Sequence, residues 1–232
     1  MRILKRLVLA LATILFAALP ASADDYSEGM AAFSQRQYTQ AVTLWGPIAE
    51  SGHVGAQFNL GRMYFDGIGV IEDKIVAIAW YARAAERDFA PAMVQYGLAL
   101  ISGLHIEGNH PQGVDFILRA ADSGNAEGQF QAGKLYRDGV AVERDYDEAV
   151  SWYLAAAEQN HTRAQYRMGF MYGSGYGVPQ DFVQAYYFYG LAAARMPISG
   201  SAQTQLTEYM SLEEIASAEA LLNGTPTIAS TE

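Results

Sequence analysis

A segment of 36 residues recurs four times in this chain without an insertion or a deletion. The units begin at Ala56, Ala92, Gly128 and Ala164. Three columns keep one residue type in every unit: Gly61, Gly97, Gly133 and Gly169; Gly67, Gly103, Gly139 and Gly175; Ala84, Ala120, Ala156 and Ala192. Within each unit, apolar residues follow helical spacing on both sides of a glycine-containing loop. A fixed period of this length is typical of stacked helix pairs, so the repeat predicts an all-α solenoid.

The conserved columns also carry the motifs of a known family. The first unit has L-G-x-x-Y at 60–64, G-x-G-V at 67–70, Asp73 and W-Y-x-x-A-A at 80–85, and the fourth has G-x-G-V-P-Q-D at 175–181. In these motifs the sequence resembles Sel1-like repeats, relatives of the tetratricopeptide array, from Ala56 to about Ala193. The resemblance and the period together predict a right-handed α-solenoid of helix-loop-helix repeats with helical caps. The resemblance also implies a protein that binds other proteins, although a fold does not identify the partner.

The period and the motifs at its two ends divide the chain. A helix pair before the array keeps its register, with a first helix expected at 26–34, and a helix at 203–210 is expected after it. The Ser-x-x-Glu pattern at 211–214 is typical of a capping box that starts a last helix. We predict a signal peptide at 1–23, an N-terminal tetratricopeptide-like capping pair at 24–55, Sel1-like repeats at 56–91, 92–127, 128–163 and 164–199, C-terminal capping helices at 200–222 and a flexible tail at 223–232.

The first 23 residues have the three regions of a secretory signal peptide. Arg2, Lys5 and Arg6 precede an apolar run at 7–19, which is followed by Ala-Ser-Ala at 21–23. The run is short for a membrane span, so cleavage after Ala23 is favoured over an uncleaved anchor. We therefore expect a periplasmic protein, with secretion as the alternative, and no membrane contact after cleavage.

Charge and cysteine content bear on the partners that the protein can bind and on how its fold is stabilised. The chain has 15 Lys and Arg against 25 Asp and Glu, a net charge of −10, and cleavage of three basic residues makes it 12 − 25 = −13. Such a surface repels nucleic acid, which we do not expect as a partner. Because there is no cysteine, packing alone must hold the fold in an oxidising compartment.

Several positions within the units have expected local roles. Gly61 and its equivalents lie in the middle of the first helix, where glycine costs about 1 kcal/mol, so we expect close approach of a second helix there. Gly67 and Gly69 are expected at positive φ in the loop. The second helix is expected to be capped by Asp73, Asn109, Asp145 and Asp181. The second unit departs from the others, with His105 in place of a loop glycine and Pro111 in the first turn of a helix.

Residue patterns for catalysis or metal binding are weak. His53 and His161 occupy equivalent columns three units apart and cannot share an ion. His105 and His110 lie in one loop, where they could form a metal or pH-sensitive site or merely a solvated loop. The sequence contains no G-x-S-x-G, no H-E-x-x-H and no phosphate loop. We therefore predict no catalysis, no cofactor and no metal.

Positions 3, 7 and 10 of each unit fall on one side of the first helix. In tetratricopeptide-like arrays the first helices line the concave surface. The predicted partner-binding groove comprises Phe58, Arg62, Phe65, Val94, Leu98, Phe130, Lys134, Arg137, Tyr166, Arg167 and Phe170, with Ile101 and Gly173 in the same rows. Aromatic and arginine enrichment is what interfaces show, and the cations favour an acidic peptide. The alternative is that the aromatic residues pack between repeats and the cations pair with neighbouring acids.

These observations favour a non-catalytic adaptor or regulator of the bacterial envelope that binds a protein or peptide in the groove. The resemblance suggests docking on the outer domain of a membrane sensor as one form of this function. Two alternatives remain: a hydrolase acting on peptidoglycan or a β-lactam, and an exported effector that binds a host protein.

Overall fold

The computed structural model describes residues 23–224, and within this range it contains twelve α-helices, one 3-10 helix and no strand. The predicted signal peptide lies outside the described range except for Ala23, and so do residues 225–232 of the predicted tail. The helices are α1 (Ala23–Ser34), α2 (Tyr38–Glu50), α3 (Val54–Asp66), α4 (Lys74–Ala85), α5 (Ala90–Ser102), α6 (His110–Asp122), α7 (Ala126–Asp138), α8 (Tyr146–Glu158), α9 (Thr162–Ser174), α10 (Phe182–Ala193), α11 (Pro197–Leu206) and α12 (Leu212–Leu222).

The helices stack in chain order. Each helix from α1 to α10 packs on the next one, and α12 returns to pack on α10. The pair α1 and α2 therefore covers one end of the four repeats, while α11 and α12 cover the other. The predicted all-α solenoid is confirmed.

The C-terminal cap begins earlier than the sequence indicated. We expected a helix at 203–210, but α11 begins at Pro197, and a 3-10 helix at Thr207–Tyr209 follows it. Proline is well tolerated in the first turn, where its missing amide hydrogen has no helical partner. The buried Ser199 hydroxyl donates a hydrogen bond to the carbonyl of Tyr189 at 2.8 Å, which ties α11 to α10. The capping box formed by Ser211 and Glu214 is present as predicted.

The mid-helix glycines lie where an aromatic ring of the second helix crosses the first. A methyl group added to Gly61, Gly133 or Gly169 would lie 2.6 Å from a ring carbon of the tyrosine opposite. These tyrosines are Tyr81, Tyr153 and Tyr189, all of them buried. In the second repeat Ile117 takes the tyrosine position, and a methyl group added to Gly97 would lie 2.9 Å from its Cγ1 and 2.7 Å from the carbonyl oxygen of Gly113. The expected close approach at this column is confirmed.

The helix caps agree with the sequence, with one addition. Asp73, Asn109, Asp145 and Asp181 each accept hydrogen bonds from the first backbone amides of a second helix. The addition concerns the first helices: His53 and His161 cap α3 and α9 through Nδ1, which accepts from the amides of Ala56 and Ala164 at 3.1 and 3.2 Å. The two equivalent histidines therefore have a structural role that the sequence analysis missed.

In repeats 1 and 4 the second loop glycine contacts the preceding helix pair. Gly69 and Gly177 have φ of 72° and 66°, and each lies against the backbone at the start of the preceding second helix, at Tyr38 and Tyr146. His105 and Ala141 occupy the same column with φ of 69° and 61°. Because they carry a Cβ, the loops of repeats 2 and 3 cannot make the same backbone contact.

A polar network joins α7 to the start of α9. The carboxylate of Glu127 accepts hydrogen bonds from Gln131 Nε2 at 2.7 Å and Arg163 Nη2 at 2.6 Å, and it lies 3.0 Å from His161 Nε2. Because His161 Nδ1 is the cap acceptor, the neutral ring carries its proton on Nε2 and donates to Glu127. Partial burial raises the pKa of Glu127, but the hydrogen bonds from His161 and Gln131 and the charge of Arg163 outweigh it, so the pKa falls from 4.5 to about 2.

The loop contact can be tested with two glycines of one loop. Gly175 and Gly177 have nearly the same φ, 70° and 66°, so alanine carries a similar backbone cost at both. A Cβ at Gly177 would also lie 2.3 Å from the carbonyl oxygen of Tyr146, whereas at Gly175 its nearest neighbour is 3.4 Å away. We expect Gly177→Ala to lower the free energy of unfolding by about 1–3 kcal/mol more than Gly175→Ala, measured by urea denaturation. Equal losses would show that the loop does not depend on this contact.

The Glu127 network predicts a pH-dependent stability. Because the folded-state pKa of Glu127 lies below its unfolded value of 4.5, its stabilising effect is complete above that pH and disappears as the pH falls towards 2. After allowance for solvent screening, Glu127→Gln should lower the free energy of unfolding by ~1–2 kcal/mol at pH 7. The gap from wild type should close as urea denaturation is repeated at pH 4 and about pH 2.5. The control Glu143→Gln, at an exposed loop position, should show little effect; a pH-independent deficit in Glu127→Gln would contradict this account.

Candidate partner-binding surface

The predicted groove residues divide into a buried row and an exposed surface. Position 3 is turned inward in two repeats: Val94 is 0% exposed and Phe130 5% exposed, and both belong to the core. The prediction that these two residues line an open groove is therefore wrong.

The cause of this burial is the start of the next repeat. The ring of Phe58 lies 5.6 Å from that of Phe89, and the ring of Phe130 stacks on His161 at 4.8 Å. Phe89 and His161 are the residues immediately before α5 and α9. In repeats 1 and 3, position 3 is thus covered by the residue that precedes the next first helix. In repeat 4 the ring of Tyr166 lies 5.5 Å from that of Tyr189 in the same repeat. For Phe58 and Phe130, the alternative that the aromatic residues pack between repeats is the correct one.

Positions 7 and 10 remain at the surface, and we call them the first-helix surface. Its members on α3, α5, α7 and α9 are Arg62, Phe65, Leu98, Ile101, Lys134, Arg137, Phe170 and Gly173, and Arg167 adjoins them on α9. The aromatic members are Phe65, 38% exposed, and Phe170, 37% exposed. The Nζ of Lys74 lies 4.0 Å from the centre of the Phe65 ring.

Three cations gather on α7 and α9, and with one acid they form what we call the basic cluster: Lys134, Arg137, Arg167 and Asp138. Arg137 donates two hydrogen bonds to the Asp138 carboxylate, at 2.7 and 2.9 Å. These bonds lower the pKa of Asp138 against the opposing effect of burial, and the charges of Lys134 and Arg167 lower it further. Arg137 therefore satisfies Asp138, and the cluster keeps an excess charge of 3 − 1 = +2.

The other two cations of the cluster are available to a ligand. Within residues 23–224, neither Lys134 nor Arg167 is part of an ion pair. Arg167 lies over the ring of Tyr166, with its guanidinium carbon 5.7 Å from the ring centre. The alternative that the cations pair with neighbouring acids is thus correct for Arg137, but it does not account for the presence of Lys134 and Arg167 on this surface.

The remaining repeats give this surface a polar end and an apolar middle. In repeat 1 the exposed Arg62 lines a small pocket with Met30, Asn59 and Asp66. In repeat 2 the half-buried Leu98 and Ile101 provide apolar contact area without charge. An extended ligand would therefore meet cations near both ends and apolar side chains between them.

The histidine loop offers little chemistry. His105 and His110 are both exposed. In the part of the chain that the structure describes, no three His, Asp or Glu side chains are grouped as a metal ion would require.

None of the helices in that part combines the length and apolar character needed to cross a membrane.

A second opening, which the sequence analysis did not identify, lies between α4 and the loop of repeat 2. The presence of His105 in a glycine column was the available signal, because a Cβ there prevents the loop from closing onto the preceding helix as it does at Gly69. Ile75, 53% exposed, is at its edge. The opening is lined by Ile75, Ile78, Ala79, Ala82, Tyr96, Leu100, Ile106, Glu107, Gly108, Asn109 and Gln112.

Comparison with solved structures relates this architecture to known proteins. The crystal structure of a Sel1 repeat protein from Oxalobacter formigenes is 31% identical, with a TM-score of 0.67, over 75% of this chain and 69% of that one. The immunity protein Pa5087 of Pseudomonas aeruginosa, 19% identical with a TM-score of 0.56, covers 88% of this chain and 84% of its own and shares the fold.

Two curated relatives match part of the chain. A protein of Rhizobium leguminosarum bv. viciae named exopolysaccharide production negative regulator is 29% identical over 91 residues, 39% of this chain and 34% of its own length. A protein of the same name from Rhizobium meliloti (strain 1021) is 27% identical over 86 residues, 37% of this chain and 32% of its own. The chain thus spans about a third of the length of the curated relatives it matches.

The family model named Sel1 repeat matches residues 54–89, 90–125, 126–161 and 162–195. These four matches are contiguous and begin at or next to the start of α3, α5, α7 and α9. The chain therefore belongs to the Sel1 repeat family.

Proposed function

We propose that this protein is a non-catalytic interaction regulator of the bacterial envelope that binds a protein or peptide partner across its first-helix surface. The observation that carries the proposal is the basic cluster on α7 and α9. Its Lys134 is exposed, its Arg167 lies half-exposed over an aromatic ring, and neither forms an ion pair among the described residues. In a chain of net charge −10, such a local excess of positive charge selects acidic ligands.

The neighbouring side chains suit a peptide rather than a free ion. Phe170 offers an exposed ring beside the cluster, and an apolar strip at Leu98 and Ile101 continues along the surface. Aromatic and arginine side chains are the residues that most often anchor protein interfaces. The partner that fits this pattern is an extended or helical segment with acidic residues separated by apolar ones.

The regulatory part of the proposal is supported by the curated relatives. Both are named as negative regulators of exopolysaccharide production. By analogy, the partner of this chain would be another envelope protein, for example the outer domain of a membrane sensor. The match covers about a third of those proteins. A role of this chain in regulating exopolysaccharide production is therefore a proposal.

The proposed location is the periplasm, with secretion as the alternative. It is supported by the pattern of residues 1–23, with a basic start, an apolar run and Ala-Ser-Ala at the end. Amino-terminal sequencing of the protein recovered from a periplasmic fraction should find Asp24 as the first residue. Recovery of the uncleaved chain from the cytoplasm or the membrane would overturn this location.

Charge reversal tests the binding surface. The double variant Lys134→Glu and Arg167→Glu should reduce partner recovery in co-purification from envelope extracts at least tenfold, because two lost attractions replaced by repulsions cost on the order of 2 kcal/mol or more. The matched control is Arg144→Glu and Arg195→Glu, which changes the net charge equally at exposed positions outside the first helices.

Both double variants should give the helical circular dichroism of the wild type, so that a loss of folding is excluded. Recovery of the partner at the wild-type level with Lys134→Glu and Arg167→Glu would refute the assignment of the surface. Equal loss with both would show that net charge, rather than this cluster, determines binding.

A further inference from the structure

Tyr153 contains a hydroxyl group that the folded chain leaves without a partner. The side chain is fully buried, at 0% exposed, and its Oη makes no hydrogen bond within the described residues. A buried hydroxyl without a partner destabilises a fold, because it gives up its hydrogen bonds to water. A phenylalanine would fill the same space without that cost, so the hydroxyl requires an explanation.

The Tyr153 side chain lies next to the basic cluster. The ring of Tyr153 crosses α7 at Gly133, where an added methyl group would be 2.6 Å from a ring carbon. Arg137 follows Gly133 by one helical turn and therefore shares that side of α7. Burial raises the pKa of Tyr153 to about 12, while the nearby charges of Arg137 and Arg167 act against the rise and Asp138 adds to it. These three charged groups are thus close enough to the hydroxyl to act on it.

The equivalent positions in the other repeats differ. Tyr81 and Tyr189 cross their glycines in the same way, yet neither has a hydroxyl that is both sealed from solvent and unpartnered in residues 23–224. Repeat 2 has Ile117 at this position. The unpartnered hydroxyl and the basic cluster therefore occur together, where α7 and α9 are neighbours.

We propose that the Tyr153 hydroxyl and the basic cluster form a binding site for one carboxylate of the partner, either an acidic side chain or a chain terminus. The carboxylate would accept a hydrogen bond from Tyr153 Oη and pair with Arg167, while Lys134 balances its charge. Arg137 shields the hydroxyl in the free protein, and its long side chain moves aside as the carboxylate enters. This inference rests on the proposed function and adds the chemistry of the group that is recognised.

The composition of the site favours a carboxylate over a phosphate. Asp138 remains in the cluster and would repel a doubly charged phosphate more strongly than a carboxylate. A carboxylate has two oxygens, so one can accept from the hydroxyl while the other meets a guanidinium. The pairing of Arg137 with Asp138 keeps that arginine in place until the ligand arrives.

The test uses small probes and follows the arginine Nε–H signals of Arg137 and Arg167 by nuclear magnetic resonance. The carboxylate probes are N-acetylglutamic acid α-amide, for a side chain, and N-acetylalanine, for a terminus. N-acetylglutamine amide is the uncharged control and phenyl phosphate the competing anion, all at constant ionic strength. We expect saturable shifts with the carboxylate probes and none with the uncharged control. Whichever of the two carboxylate probes has the lower dissociation constant identifies the source of the carboxylate, a side chain or a chain terminus.

Tyr153→Phe separates binding from folding. It should raise the dissociation constant of the carboxylate probes about tenfold, the usual effect of losing a hydrogen bond to a charged group. Its thermal midpoint should equal or exceed that of the wild type, since an unpartnered hydroxyl has been removed. The control Tyr81→Phe should leave the dissociation constant at the cluster unchanged.

Unchanged probe affinity in Tyr153→Phe would overturn the role of the hydroxyl, and absence of a saturable shift in the wild type would overturn the site. Tighter binding of phenyl phosphate would overturn the choice of carboxylate. None of these results affects the proposed function, which would still stand if Lys134→Glu with Arg167→Glu abolished partner recovery.

Discussion

The contact on which the architecture depends is the crossing of a buried second-helix side chain over a glycine in the first helix. A tyrosine makes this contact in repeats 1, 3 and 4, and Ile117 makes it in repeat 2. Because glycine has no Cβ, the two helices approach closely, and the ring sets both their separation and their rotation. Repetition of one crossing at a constant step orients every first helix in the same way. The first-helix surface is a consequence of that regularity.

The same crossing links packing to recognition. In repeat 3 the tyrosine that crosses the first helix lies close enough to Arg137, Arg167 and Asp138 for their charges to act on its hydroxyl. That hydroxyl has no hydrogen-bond partner among the described residues, whereas Arg137 pairs with the adjacent Asp138. A side chain needed for the core thus also contributes a polar group to the candidate site. Natural repeats keep the core role in every unit, while the surface role varies from unit to unit.

The sequence predicted most of the fold because each local signal agreed with the period. The capping residues Asp73, Asn109, Asp145 and Asp181, the loop glycines and the capping box at Ser211 were all identified from residue type and spacing. The candidate surface was predicted only in part. Helical spacing shows which residues share a side of a helix. It does not show which of these residues are buried by a neighbouring segment of the chain. Phe130 was therefore misassigned, since the cover comes from His161, 31 residues further on. An unpartnered hydroxyl such as that of Tyr153 is likewise a property of three-dimensional packing.

The central claim is that a partner binds along the first helices at repeats 3 and 4. Its most direct test is photo-crosslinking in living cells, with p-benzoylphenylalanine placed singly at Phe170, at Ile75 beside the second opening and at Tyr209 in the C-terminal cap, all exposed positions. The account predicts one discrete adduct from Phe170 and none from Ile75 or Tyr209. A discrete adduct from Ile75 or Tyr209, with none from Phe170, would contradict it.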